Sequence, residues 1–306
     1  MINKIFYLIK PVIPRVVQIW LRRILISYKR QKYDDIWPID FNSAKKPAGW
    51  KGWPENKDFA IVLTHDVELQ KGHDVSVKLM RIEKELGFKS SFNFVPERYI
   101  VSEKVRSELC ENGFEVGVHG LNHDGKLFSS REEFDKRALK INKYIKDWNA
   151  KGFRAPAMHH NLEWISELDI KYDLSTFDTD PFEPQSDGVG TIFPFYYKSQ
   201  ITGREYLEMP YTLPQDFTTF VLIGEKSADI WVKKLEWLVA NNAMVLVNVH
   251  PDYICFEGDK KGVEQFPVKI YIDFLRYVKN NYKDKYWNPL PDELAEFWKE
   301  NFNNKN

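Results

Sequence analysis

The amino-acid sequence predicts an α/β fold in which parallel strands are surrounded by outer helices, as in a closed or distorted (β/α) barrel. From about residue 57 onward, short apolar runs alternate with segments of helical periodicity, six or more times. Runs such as AIVLT at residues 60–64 and MVLVNV at residues 244–249 are apolar throughout, which is typical of parallel strands buried on both faces. Ionisable residues follow several of these runs, and sites on (β/α) barrels lie at the carboxyl ends of the strands.

The strands and helices are predicted in the following order along the chain. Strands are expected at residues 60–64, 91–95, 114–118, 152–154 and 244–249. Helices are expected at residues 75–86, 103–111, 131–148, 161–168, 228–240, 268–278 and 292–302. Glycine marks the end of the first two helices, at Gly87 and Gly113. Such repeated units of a strand followed by a helix predict a parallel sheet with helices outside it.

Three regions are predicted from the composition along the chain. Residues 1–33 form a basic amphipathic segment, residues 34–56 a wrapping segment rich in Pro and aromatic residues, and residues 57–306 the barrel domain. No acidic residue precedes Asp34, and residues 14–30 have the pattern of a basic amphipathic helix. Such a helix either contacts an anionic membrane surface peripherally or packs on the domain like any other helix, and both interpretations stay open.

The location expected for the protein follows from the same N-terminal segment. Its uncharged stretches are far shorter than the roughly 20 apolar residues that span a bilayer. No export signal is evident in it either. We therefore expect a cytoplasmic protein, peripheral on the inner face of the cell membrane if residues 1–33 contact lipid. The sequence does not predict an oligomeric state.

Composition excludes several classes of protein. The 306 residues include 44 Lys and Arg against 44 Asp and Glu, so the net charge is zero and a general nucleic-acid partner is not expected. Cys110 and Cys255 are the two cysteines, which is too few for a disulfide framework or a cysteine metal site. A soluble globular domain with a sizeable core is the class that remains.

Histidines stand where three of the apolar runs end. His65 begins HDVE after the first run, His119 and His123 lie in HGLNH after the third, and His250 follows MVLVNV. Because the carboxyl ends of parallel strands converge at one edge of a barrel, we expect these groups to share a pocket.

The spacing of His119 and His123 predicts a metal site. Two imidazoles four residues apart can face one ion on a helical or tightly turned loop, and imidazole suits zinc, cobalt, nickel and iron. Two histidines need a third ligand, and Asp66 and Glu68 are the obvious oxygen donors. In an extended segment these two project to the same side, so one can bind the metal while the other accepts a proton. We expect one divalent ion, zinc in the first place.

Four ordered motifs resemble those of the NodB-like polysaccharide deacetylase family, carbohydrate esterase family 4. The family pattern Thr-Phe-Asp-Asp-Gly corresponds to THDVE at residues 64–68, and His-Ser/Thr-x-x-His to HGLNH at residues 119–123. The pattern Arg-x-Pro corresponds to RAP at residues 154–156, and a strand that ends in His to VH at residues 249–250. The resemblance covers about residues 57–252 and implies a distorted (β/α) barrel of the NodB deacetylase type.

The first two motifs depart from the family pattern. Val67 stands where the family has its metal-binding Asp, and an apolar side chain cannot bind metal. Either Asp66 binds the metal and Glu68 is the base, or Asp66 is the base and Glu68 binds. We prefer the first, because a short carboxylate beside two histidines is the more compact arrangement. Gly120 replaces the family's hydroxyl residue, so a supporting hydrogen bond at the metal site is expected to be missing.

The resemblance also implies roles in amide hydrolysis. The metal would polarise the acetamide carbonyl and acidify water, and a carboxylate would take the water's proton. His250 would protonate the departing amine, and Arg154 would hold the base carboxylate ionised. Asp178 or Asp180 would keep the His250 imidazole charged, although both also suit turn residues of a loop.

Four residues are expected to contact the substrate. They are Asp178, Asp180, His159 and Trp164. For His159 the alternative is an exposed loop residue, and for Trp164 it is simple packing.

The function that these inferences predict is metal-dependent removal of N-acetyl groups from amino sugars of a surface polysaccharide or its lipid-linked precursor. The expected partner is therefore an acetylated carbohydrate. One alternative is hydrolysis of another non-peptide amide or ester on the same scaffold. The other is a non-catalytic glycan-binding protein that lost its chemistry through Val67.

Overall fold

The computed structural model describes residues 14–302. Its helices are α1 (Arg15–Lys32), α2 (Gln70–Leu86), α3 (Glu103–Glu111), α4 (Arg131–Asp147), α5 (Leu162–Ile165), α6 (Asp229–Ala240), α7 (Val268–Asn281) and α8 (Pro291–Phe302). A π-helix spans Phe217–Ile223, and short 3-10 helices lie at Phe41–Ala44, Pro54–Asn56, Pro156–Met158 and Pro251–Tyr253. The strands are β1 (Phe59–Val67), β2 (Ser90–Phe94), β3 (Glu115–His119), β4 (Gly152–Arg154), β5 (Tyr172–Asp173), β6 (Phe195–Lys198), β7 (Glu205–Glu208), β8 (Met244–Val249), β9 (Ile254–Cys255), β10 (Phe266–Pro267) and β11 (Tyr286–Trp287).

A nine-stranded sheet forms the inner layer, in the order β11-β1-β2-β3-β4-β5-β7-β6, with β8 also paired to β1. All of its pairings are parallel except the antiparallel pair β6–β7. The segment after β7 reaches β8, where the Thr212 N–H donates to the Leu246 carbonyl at 3.1 Å and Thr212 Oγ1 accepts from the Leu246 N–H at 2.9 Å. The sheet therefore curls into a distorted barrel, which confirms the predicted class of fold.

Strand β1 lies at the centre because its nine residues are all buried and pair with both β2 and β8. Successive side chains point to opposite faces of the sheet. Thr64 and Asp66 face the barrel interior, where both contact Arg154. His65 faces the outer helices, and its ring nitrogens contact the Val249 carbonyl at 3.0 Å and Glu83 at 2.7 Å. His65 is thus a buried residue between sheet and helices.

Local signals explain how the helices start and stop. The Ser130 hydroxyl caps α4 by accepting a hydrogen bond from the Glu133 N–H. Helix α2 ends at Gly87, whose φ of 87° is the left-handed conformation that glycine adopts without strain. The predicted helix at residues 161–168 is shorter, spanning Leu162–Ile165. The hairpin of β6 and β7 and the π-helix have no regular apolar period and were not predicted from the sequence.

The chain before β1 lies against the barrel. Trp53 is buried, and its indole N–H donates to the Asn242 carbonyl at 2.9 Å. Trp50 stacks on Phe302 with ring centroids 5.5 Å apart. The division at residues 33 and 56 stays a prediction, and residues 1–13 lie outside the described part of the chain. Within residues 14–302, no helix combines the length and the apolar character needed to cross a bilayer.

Candidate metal centre and active site

Glu68, His119 and His123 form a cluster at the carboxyl ends of β1 and β3. One potential ligand atom from each lies within 4.8 Å of the other two. Glu68 Oε1 is 2.9 Å from His123 Nε2, and the two imidazole centroids are 5.1 Å apart. Glu68 follows β1, His119 is the last residue of β3, and His123 lies on the next loop with a left-handed φ of 54°. The strand ends thus bring together residues that are distant in sequence.

The orientation of His119 fits a metal ligand. Its Nδ1–H donates to the Arg154 carbonyl at 3.1 Å, which leaves Nε2 as the atom with a free lone pair. Among the described residues, this buried Nε2 has no hydrogen-bond partner. Burial lowers the pKa of His119 to about 4, so the ring is neutral at neutral pH. A neutral imidazole beside a carboxylate and a second imidazole is a donor set that fits zinc and similar divalent ions.

Gly120 shapes the turn between the two histidines. Its φ is +60°, and a Cβ at this position would lie 2.3 Å from Cγ of Pro156. Only glycine therefore fits where the loop after β3 packs on the RAP segment. The departure from the family's hydroxyl residue has this steric reason.

Asp66 lies deeper in the barrel than the cluster. Its carboxylate is 3.3 Å from Arg154 Nη1 and accepts hydrogen bonds from the Asn93 amide at 3.1 Å and the Asn248 amide at 2.9 Å. Burial alone would favour the neutral acid, but the Arg154 guanidinium, with the neighbouring imidazoles and the Asn93 amide, holds the pKa of Asp66 well below its usual range. Asp66 is therefore ionised and fixed in orientation.

The structure groups Glu68, rather than Asp66, with the two histidines. From the sequence, Asp66 was the preferred metal ligand and Glu68 the preferred base. The oxygens of Asp66 are already engaged by Arg154, Asn93 and Asn248, whereas Glu68 reaches His123 directly. The geometry favours the second of the two arrangements that the sequence left open.

Tyr253 and Asp252 fix the position of Glu68. The Tyr253 hydroxyl donates to Glu68 Oε2 at 2.6 Å. Asp252 accepts hydrogen bonds from the backbone N–H groups of Glu68, Leu69 and Gly72, at 2.7, 3.1 and 3.0 Å. A Cβ on Gly72 would lie 2.4 Å from Asp252 Oδ2, so a side chain there would displace this carboxylate. The loop after β1 is thus held by residues that follow β8.

His250 faces both carboxylates and is oriented by Asp216. Its Nε2 is 3.9 Å from Asp66 Oδ2 and 4.0 Å from Glu68 Oε1. Its Nδ1 and its backbone N–H contact the Asp216 carboxylate at 2.7 and 2.8 Å. Burial disfavours the charged ring, but Asp216, aided by Glu68 and Asp66, outweighs this effect and raises the pKa of His250 to about 10. His250 is therefore positively charged at neutral pH.

Asp216 was missed in the sequence analysis, which gave its role to Asp178 or Asp180. Asp178 Oδ2 instead lies 2.6 Å from Lys234 Nζ, and both side chains are buried. Asp180 accepts a hydrogen bond from the Tyr211 hydroxyl at 3.0 Å. The local signal for Asp216 was weak, because it precedes the unpredicted π-helix and follows no apolar strand-like run.

The two other residues expected at the substrate lie in different surroundings. His159 is half-buried, and burial, followed by the charge of His160, lowers its pKa. Trp164 packs against Phe134 with centroids 5.5 Å apart, and the Arg131 guanidinium lies 5.7 Å from its ring. These contacts are those of a packing residue.

Comparison with known proteins identifies the fold. No family model matches the sequence, and no curated protein matches it. A structure described as a polysaccharide deacetylase from Mycobacterium smegmatis superposes with a TM-score of 0.61 at 17% identity, over 82% of this chain and 94% of that one. A polysaccharide deacetylase structure from Pseudomonas aeruginosa PAO1 gives 0.60 at 12% identity, over 82% and 94%. The Puue allantoinase structure gives 0.62 at 15% identity, over 87% and 98%. The chain therefore has the NodB-type barrel fold, as the resemblance implied.

Proposed function

We propose that the protein is a metal-dependent hydrolase that removes N-acetyl groups from amino sugars of a surface polysaccharide or of its lipid-linked precursor. The observation that carries the proposal is the cluster of Glu68, His119 and His123, with Asp66 and His250 beside it. A site with a metal-binding donor set, an ionised carboxylate and a charged imidazole has the groups that amide hydrolysis needs.

Glu68, His119 and His123 would hold the cation. Zinc fits this set, and cobalt, nickel and iron share the same preference for nitrogen and oxygen donors. When bound, such an ion supplies Lewis-acid polarisation and makes water a stronger acid. His119 keeps its ligating nitrogen deprotonated through burial, and Tyr253 keeps Glu68 in place.

Asp66 is the proposed base. It accepts the proton of the attacking water as the new carbon–oxygen bond forms at the acetyl carbon. Arg154 and the amides of Asn93 and Asn248 hold its carboxylate ionised and oriented.

His250 is the proposed acid. It gives its Nε2 proton to the amine as the carbon–nitrogen bond breaks, so that acetate and a free amino sugar leave. Asp216 fixes the imidazole through Nδ1, which directs Nε2 towards the two carboxylates.

Acetate release tests this proposal. Protein treated with a chelator and then supplied with zinc or cobalt is incubated with N-acetylated amino-sugar oligomers. We expect release only after metal is restored, and none from the His119→Ala variant. Metal-loaded wild-type protein that releases no acetate from any such sugar would contradict the proposed substrate class.

Two alternatives stay distinguishable in the same experiment. A fold neighbour named an allantoinase has a TM-score similar to those of the deacetylases, so hydrolysis of another amide on this scaffold is the second candidate. Metal-dependent cleavage of cyclic amides, without acetate release from sugars, would favour it. If the protein is instead a non-catalytic glycan-binding protein, the His119→Ala variant should bind sugar as tightly as the wild type. The cytoplasmic location stays a prediction.

A further inference from the structure

Helix α1 packs on the barrel, and three of its arginines bond to the barrel. Arg15 pairs with Glu264 at 2.5 Å, and Arg30 pairs with Glu225 at 3.1 Å. The Arg23 guanidinium donates to the Val221 carbonyl at 3.0 Å. Ile19 and Ile26 are buried on this same inner side. These three arginines therefore attach the helix to the protein.

The outer face of α1 is apolar. Val16, Trp20, Ile24 and Tyr28 recur every four residues and are 60%, 58%, 48% and 76% exposed. Leu25 beside them is also exposed. A surface helix usually turns its apolar residues to the core, so an apolar row on the outer side is unusual. An exposed apolar row of this size indicates a surface that is covered by a partner.

We propose that the outer face of α1 docks on an anionic lipid surface. Trp and Tyr are the side chains that prefer the boundary between headgroups and acyl chains. Lys32 continues the four-residue spacing of the row and is exposed, whereas Lys29 donates to the Pro181 carbonyl of the barrel at 3.4 Å. Each such cation near an anionic leaflet contributes on the order of 1 kcal/mol to binding.

Charge argues for lipid over a second copy of the chain. Residues 1–33 contain no acid and the basic residues Lys4, Lys10, Arg15, Arg22, Arg23, Lys29, Arg30 and Lys32. Two such helices placed face to face would bring like charges together. Anionic headgroups, in contrast, complement the positive charge of this segment.

The docking surface lies next to the candidate active site. The Arg22 guanidinium is 5.0 Å from the Phe217 ring, and that ring is 4.5 Å from the ring of Tyr253, which bonds Glu68. The loops after β1 and β2 expose Leu69 and Ile100 at the same edge of the barrel. Helix α1 is thus connected to the candidate site through the Phe217 and Tyr253 rings. Docking itself does not depend on the proposed hydrolase activity.

Vesicle flotation of the full chain tests the proposal. The vesicles contain phosphatidylcholine alone or an equal mixture of phosphatidylcholine and phosphatidylglycerol. We expect the wild-type protein to float only with the mixed vesicles. The double variant Trp20→Asp with Ile24→Asp should lose at least tenfold in affinity, since tenfold corresponds to about 1.4 kcal/mol. Leu139→Asp is the matched control, because Leu139 is 76% exposed on α4, and it should float like wild type.

Every other outcome overturns the proposal. Absence of flotation with the mixed vesicles, or equal flotation of the double variant, excludes docking through this face. A dimer in light scattering that the double variant loses, without vesicle binding, identifies a second copy as the occupant. A monomer that binds no vesicle indicates that the chain itself covers the row. Unchanged circular dichroism of the double variant shows that it is folded.

Discussion

The two carboxylates after strand β1 should respond differently to replacement by their amides. Glu68→Gln removes a charged member of the metal cluster, whereas Asp66→Asn leaves that cluster intact. Loss of a residue that only hydrogen-bonds a metal ligand weakens metal binding about 10–100-fold. Because Glu68 is a proposed ligand itself, Glu68→Gln should weaken metal binding by at least as much. Asp66→Asn should keep its metal and lose about 10²–10⁴-fold in acetate release, the usual contribution of a general base.

Asp66→Asn should lose more folding stability than Glu68→Gln, although Glu68→Gln should lose more metal affinity. Asp66 and Arg154 are both buried, and Asp66→Asn leaves the guanidinium without its counter-ion. Breaking a buried pair from one side costs about 3–5 kcal/mol. At roughly 2 °C per kcal/mol for a chain of this size, the Tm should fall by about 6–10 °C. Glu68 is partly exposed, so Glu68→Gln should cost less.

The assay combines metal content, acetate release and thermal unfolding on both variants at a temperature where each is folded. Glu111→Gln is the control, because Glu111 is an exposed carboxylate at the end of α3. If Glu68→Gln bound zinc like wild type while Asp66→Asn lost it, the assignment of ligand and base would be reversed.

Three further predictions concern other residues. Asp216→Asn should lower the pKa of His250 from about 10, so the alkaline limit of acetate release should move to lower pH, and an unchanged pH profile would exclude this role. Burial raises the pKa of Glu115 to about 7 from its ordinary 4.5, so its stabilising contribution is complete below pH 4.5 and is lost as pH rises through about 7. At about 1.4 kcal/mol per pKa unit, the stabilisation that Glu115 loses over this range is at most about 3 kcal/mol. Glu115→Gln should therefore flatten the dependence of Tm on pH. Equal slopes of Tm against pH in the wild type and the variant would refute this role. Trp164→Leu should lower the Tm by several degrees with KM unchanged, and a raised KM at wild-type Tm would instead indicate sugar contact.

Much of the fold could be predicted from sequence because its signals are local. Strand β8 is an uninterrupted apolar run, and its observed bounds are the predicted ones. The spacing of His119 and His123 also indicated the cluster that they form with Glu68. The choice between Asp66 and Glu68 could not be made, because the partners of Asp66 are 27, 88 and 182 residues away. Such contacts follow from the closed barrel and not from any sequence pattern.

The residues around the site could not be predicted either, because their contacts also join distant parts of the chain. Asp216 contacts His250 from 34 residues away, and the π-helix, α6 and β8 lie between them in the chain. A helix was expected at residues 14–30, and the structure has one at Arg15–Lys32. The sequence did not indicate which face of α1 lies against the barrel, because the partners of Arg15 and Arg30 are Glu264 and Glu225, in distant parts of the chain.

An anomalous-scattering map of crystals grown with zinc tests the central claim most directly. We predict one peak bonded to Nε2 of His119, Nε2 of His123 and a Glu68 oxygen, with the Asp66 carboxylate outside the ligand sphere. A peak bonded to Asp66 in place of Glu68, or no peak between the two imidazoles, would contradict the account.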